Sequence, residues 1–135
     1  MIRISPFLVL ACTVVGCETT PEYALVQLVD EGELCFEGAG ETVTVTVTAD
    51  ACLSSSCTRG VGGSCSLASD VAQIFVDSEI VWEEQVGDVD CTDDCGIASV
   101  TCTLDGVAAG TYDVVHGTQR TSLTVPVDGG DCSTP

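Results

Sequence analysis

The side chains able to do chemistry are few. Asp88, Asp90, Asp93 and Asp94 surround Cys91 in one short stretch. Oxygen donors gathered in a loop are the ligands that calcium takes, about six to eight at a time. The spacing is not that of an EF-hand, since Cys91 interrupts the run and Asp93 falls where the glycine belongs. A calcium site and a solvated acidic loop therefore both stay open for these four residues. Glu83 and Glu84 form a second carboxylate pair. Neighbours on a strand point to opposite faces, so the two cannot flank one substrate as a glycosidase dyad does. His116 is the only histidine, and it precedes Gly117 at what reads as a hairpin tip. A base there is neither buried nor oriented. With no lysine and no second histidine, neither a Ser-His-Asp, a Cys-His nor a Ser-Lys arrangement can be assembled within one chain. No catalytic residue is expected.

The cysteines carry a stronger signal, and the first question is which of them belong to the fold. Arg3 supplies a positive start, and Phe7 to Val15 is apolar apart from Thr13. About nine such residues suit a secretory leader, whereas a membrane-spanning helix needs roughly twenty. The stretch ends in Val14-Val15-Gly16-Cys17. These four residues resemble the bacterial lipobox: a branched aliphatic residue (Val14, where leucine is commoner), a tolerated residue, a small residue and a cysteine. The resemblance covers only this segment. It implies that the Cys17 thiol is alkylated with diacylglycerol, that a peptidase cuts after Gly16, and that the new amine is acylated as well. Residues 1–16 would then be the leader, 17–22 a lipidated tether containing Pro21, and 23–135 the folded domain. Two or three acyl chains, at about 0.8 kcal/mol per buried methylene, anchor a protein stably.

Of ten cysteines, Cys12 leaves with the leader and Cys17 takes the lipid. Cys35, Cys52, Cys57, Cys65, Cys91, Cys95, Cys102 and Cys132 remain. An even remainder in an exported chain reads as a disulfide framework. A zinc site is the rival, but Cys91-x3-Cys95 and Cys52-x4-Cys57 lack the spacing of zinc knuckles and no histidine pair completes them. Eight cysteines allow about a hundred pairings. The simplest joins Cys35 to Cys132 across the domain ends and the Cys52–Cys65 segment to the Cys91–Cys102 segment. Such staples offset a core short of aromatic side chains, each contributing about 2–4 kcal/mol.

The formal net charge is −18, from 21 acidic residues against 3 basic. All the acids follow Gly16, where Arg59 and Arg120 are the only bases. That excludes nucleic-acid binding, which needs a basic surface, and electrostatic adhesion to anionic lipid. Contact with a membrane is expected through the lipid alone.

The elements that must position these residues read as strands throughout. Thr42 to Thr48 alternates valine with threonine, the period-two pattern of a half-buried strand. Further strands are expected over Ala24–Val29, Leu34–Phe36, Ser66–Val76, Glu79–Gln85 and Ile97–Leu104, with a closing hairpin of Tyr112–Val115 and Thr121–Val127. Asp50–Ser64 and Gly87–Gly96 read as Cys-bearing loops. Leu104-Asp105-Gly106-Val107-Ala108-Ala109-Gly110-Thr111-Tyr112-Asp113-Val114 resembles the tyrosine corner of immunoglobulin-like and fibronectin-like sandwiches. The resemblance covers about 25 residues from Ala98. It departs from antibody domains at Val114, which stands where their inter-sheet cysteine would be. The resulting expectation is an all-β, disulfide-rich, Ig-like or fibronectin-like β-sandwich of about seven to eight strands, preceded by a lipoprotein leader.

The chain as a whole resembles the small cysteine-rich lipoproteins of Gram-negative bacteria. That resemblance implies a lipid-anchored envelope location. Glu18, where an aspartate would signal inner-membrane retention, leans it to the outer membrane, at its periplasmic face or the cell surface. The expected function is a non-catalytic binding or structural module with a protein or glycan ligand. Calcium-dependent adhesion through Asp88–Asp94 is the first alternative and a small envelope hydrolase the second.

Overall fold

The computed structural model describes residues 20–133; the leader, Gly16 and Cys17 lie outside them. Every regular element among the described residues is a strand: β1 (Tyr23–Val29), β2 (Glu33–Ala39), β3 (Thr42–Thr48), β4 (Thr58–Ser69), β5 (Gln73–Gln85), β6 (Ser99–Leu104), β7 (Gly110–His116), β8 (Gln119–Val125) and β9 (Asp131–Ser133). They form two sheets. One has the order β1-β5-β7-β8 with β4 on the other side of β5, and the second has the order β6-β3-β2-β9. The protein is an all-β, disulfide-rich sandwich.

The valine–threonine alternation of β3 sets the inner and outer faces of the second sheet. Val43, Val45 and Val47 are fully buried. The threonines form a hydroxyl ladder on the outside, Thr44 to Thr103 at 3.1 Å and Thr46 to Thr101 at 3.0 Å. Leu34 and Phe36 of β2 join the valines, and Ile74, Val76, Ile80, Trp82, Tyr112, Val114, Leu123 and Val125 come from the facing sheet. Burying each such aliphatic or aromatic side chain stabilises by about 1.5–3 kcal/mol.

Three boundaries differ from the sequence reading. The loop expected over Asp50–Ser64 already turns into β4 at Thr58, a strand whose glycines and serines carry no apolar period. The single strand expected over Ser66–Val76 is two, separated at Asp70–Ala72, and the second continues without a break to Gln85. β9 is an additional short strand, which brings the total to nine. Tyr112 does form a tyrosine corner, its hydroxyl donating to the Ala108 carbonyl at 2.8 Å. β5 and β7, however, run parallel where Gln73–Phe75 meets Asp113–Val115, whereas the sheets of the immunoglobulin arrangement are antiparallel.

The four disulfides are Cys35–Cys132, Cys52–Cys95, Cys57–Cys91 and Cys65–Cys102. Cys35 and Cys132 sit directly opposite on β2 and β9. Cys65 and Cys102 join β4 to β6, one edge strand from each sheet, and so close one side of the sandwich. The close approach there needs Gly63, because a Cβ would collide with the Glu79 carbonyl and stand 2.8 Å from a Val100 methyl.

The Cys35–Cys132 bridge spans 97 residues of sequence. Constraining a loop of that size removes the most entropy from the unfolded chain. Replacing both cysteines by serine should cost about 3–5 kcal/mol in urea unfolding, with the fold retained by circular dichroism.

Candidate functional site

Two disulfides and a set of hydroxyls fuse the Cys-rich loops into one knuckle. Cys52–Cys95 and Cys57–Cys91 bracket it. Beside the Cys52–Cys95 bridge, Leu53 and Gly96 exchange both backbone hydrogen bonds, at 3.0 and 2.7 Å. Ser54 Oγ lies 2.9 Å from Thr92 Oγ1, and the Thr92 amide donates to Ser56 Oγ at 2.9 Å. A solvent-exposed loop with so little apolar contact is otherwise a mobile element; here covalent and polar cross-links hold it.

The four aspartates do not converge. Asp94 accepts the Ser55 amide on both carboxylate oxygens at 3.2 Å, and also the Thr92 hydroxyl. These bonds, the Thr92 one foremost, hold its pKa below the ordinary carboxylate value. Asp88, Asp90 and Asp93 are exposed on the same loop. The only described trio of candidate ligand atoms within 4.8 Å of one another is Glu33, Cys35 and Cys132. Its sulfurs are already joined in a disulfide, which leaves one carboxylate and no thiolate. Asp94 is thus engaged in holding the loop.

His116 requires a correction. It is not at an exposed tip but is 1% exposed, the last residue of β7. The strand runs one residue further than expected, and alternation from Tyr112 and Val114 turns His116 inward. Its Nε2 lies 2.8 Å from the Oγ of Ser78, itself buried on β5. Nδ1 has no hydrogen-bond partner. Serine and histidine are the components of a nucleophile–base pair; here both are buried, Ser78 at 5% exposure.

Asp30 was not foreseen. Its amide donates to the Ser78 carbonyl at 2.9 Å, and its Oδ1 accepts the Ser78 amide at 2.8 Å. It takes a left-handed conformation, φ 52°, which aspartate tolerates better than most residues. Gly117 packs against it so closely that a Cβ would sit 2.6 Å from the Asp30 carbonyl. The strand-ending Asp-Glu-Gly was the available signal. Two open depressions of about 390 Å³ each share Asp30. One is bounded by Ser64, Ser66, Asp77 and Glu79, the other by Leu28, Glu31, Asp50 and Thr118. Both are rimmed by carboxylates and offer no general base beyond them.

On the outer face of the first sheet, Arg59 Nε donates to Glu83 at 2.7 Å, and the guanidinium lies 3.6 Å over the Tyr23 ring. The Glu83 bond raises the Arg59 pKa. Glu84, on the opposite face, takes no part, so the two glutamates are separated as strand alternation requires. No family model, curated protein or solved structure matches the chain.

Two outcomes are expected. Asp94 should titrate below the ordinary aspartate range when followed by carboxyl NMR. Because its folded pKa is depressed, its contribution to stability is present above the unfolded pKa and is lost as pH falls through the folded one. Separately, His116→Leu should cost about 1–3 kcal/mol by leaving the Ser78 hydroxyl unpartnered, and adding Ser78→Ala should recover part of that loss in a double-mutant cycle.

Proposed function

We propose that this protein is a lipid-anchored component of the bacterial cell envelope whose sandwich serves as a non-catalytic binding or structural module. The observation that carries the reading is the partition of its thiols. The eight cysteines after Cys17 bond to one another in four pairs, and Cys17 ends a lipobox-like Val14-Val15-Gly16-Cys17. Disulfides in this number belong to an exported protein, and a cysteine outside that set, at a cleavage motif, suits lipid attachment. Glu18 favours the outer membrane, at its periplasmic face or the cell surface. The tyrosine corner relates the domain to immunoglobulin-like sandwiches locally, through Tyr112 and Ala108.

The binding role is supported by what the rigid frame presents. Loops on such a frame are the usual recognition surfaces, and here the knuckle of Ser54–Ser56 and Thr92–Asp94 is covalently preorganised. Hydroxyls and carboxylates in that arrangement suit a polar ligand, a glycan or a protein loop. Catalysis is disfavoured because the sole histidine is spent inside the core.

Labelling cells with radioactive palmitate tests the anchor. The wild-type chain should carry label and fractionate with membranes, while Cys17→Ser should carry none and stay unprocessed. Unlabelled wild-type protein would refute the anchor. Added calcium should leave the melting temperature of the domain unchanged, and a rise of several degrees abolished by Asp90→Ala with Asp93→Ala would replace this reading with calcium-dependent adhesion.

A further inference from the structure

The edges of the two sheets are not equivalent. β4 and β6 are joined by Cys65–Cys102. The return from Pro126 to Asp131 shares a depression with Ser122–Thr124 of β8, and Gln119 of β8 reaches the Ser133 carbonyl at 3.4 Å. β9 has only three residues. β1 is different: its seven residues pair with β5 on one side, and among the described residues no strand pairs with the other side.

Strand alternation shows which groups that free side presents. The Val86 amide donates to the Glu22 carbonyl, and the Asp30 amide to the Ser78 carbonyl. Glu22 and Asp30 are therefore hydrogen-bonded positions of the β1–β5 ladder, as are Ala24, Val26 and Leu28 between them. The intervening Tyr23, Leu25, Gln27 and Val29 direct their N–H and C=O groups outward along the free edge. The register with β5 is unbroken from Tyr23–Gln85 to Val29–Glu79. Leu25 is 67% exposed and Val29 55%. Natural sheets protect such an edge with a charge, a proline or a bulge; Tyr23–Val29 has none of these.

We propose that the β1 edge is a docking site that accepts an extended segment of another protein as an added strand, and that this segment is basic at its ends. The mode is β-augmentation, in which main-chain bonds give affinity and alternate side chains give selectivity. Leu25 and Val29 are the selective contacts. Charge chooses the occupant. Glu22 precedes the strand, Asp30 and Glu31 follow it, and Glu79 lies beside Val29 on β5. A second copy would bring a further net charge of −18 to this edge and be repelled, whereas lysine or arginine flanking an apolar strand is attracted. The inference rests on the binding-module reading above.

The probe is a synthetic peptide of alternating valine and threonine ended by lysine pairs, compared with one ended by glutamate pairs. The receptor is the mature protein purified in detergent. The lysine-ended peptide should bind, more weakly as salt rises, and at least about tenfold more tightly than the glutamate-ended one. Gln27→Pro removes an edge-facing donor and no bond to β5, and should weaken binding by at least about tenfold with the melting transition preserved. Leu25→Lys, a surface change that places a repelling charge on the edge, should act in the same direction and serves where the proline disturbs folding. Equal binding by wild type and both variants overturns the edge as the site. Equal affinity for the two peptides overturns the basic occupant, and a dimer of the free protein that Gln27→Pro dissociates overturns it in favour of a second copy. Palmitate labelling of Cys17 reads the anchor independently, so a lipidated protein that ignores both peptides refutes the edge proposal alone.

Discussion

Cross-linking between the Cys52–Cys65 and Cys91–Cys102 segments is the constraint on which the rest of this molecule depends. Three of the four disulfides run between them. β4 is mostly exposed along its length and brings little apolar surface to the core, so hydrophobic burial alone holds it weakly. Cys65–Cys102 sets its distance from β6. Gly63 allows the approach, and the loop disulfides at Cys52 and Cys57 pin the chain just before the strand begins. Each bridge closes a loop of at least 34 residues, for which the loop-entropy account gives about 4 kcal/mol before overlap between bridges is discounted. That contribution matters in a domain whose interior is mostly valine, leucine and isoleucine.

A second constraint acts where β1 and β7 meet end to end along β5. Asp30 holds the β1–β2 turn onto the Ser78 backbone, Gly117 seats the β7–β8 turn against Asp30, and His116 bonds the Ser78 side chain from within. Ser78 is thus bonded through both backbone and side chain. A shift of either turn would leave the buried Ser78 groups without their partners, which favours one packing. This junction fixes where β1 stops, and hence how long a free edge it leaves.

Parts of this architecture were legible in the chain because local chemistry and tertiary role agreed. The valines of Thr42–Thr48 point inward as their alternation requires, and Tyr112 reaches Ala108 as its motif implies. The even set of cysteines pairs fully, in the grouping expected from their order. Other parts were not legible, for identifiable reasons. β4 lacks any apolar period, since its glycines and serines are chosen for close approach and its pairing is enforced by β5. For the aspartates of the 87–96 loop, proximity in sequence left a calcium site and a solvated loop both open, because it does not record what each carboxylate bonds to. The loop spends Asp94 on Ser55 and Thr92.

What the sequence determined by itself is whatever depends on residue type and parity: an all-strand fold, a disulfide framework, an acidic surface and the absence of a second histidine to serve a catalytic pair. Tertiary structure decided the placement of single side chains. His116 stands beside a glycine turn signal that reads as exposed, yet β7 runs one residue further and its continued alternation buries the side chain against Ser78. That no other described strand pairs with the outer side of β1 is likewise invisible along the chain, because a strand's sequence records which face is apolar but not which of its two hydrogen-bonding sides finds a neighbour.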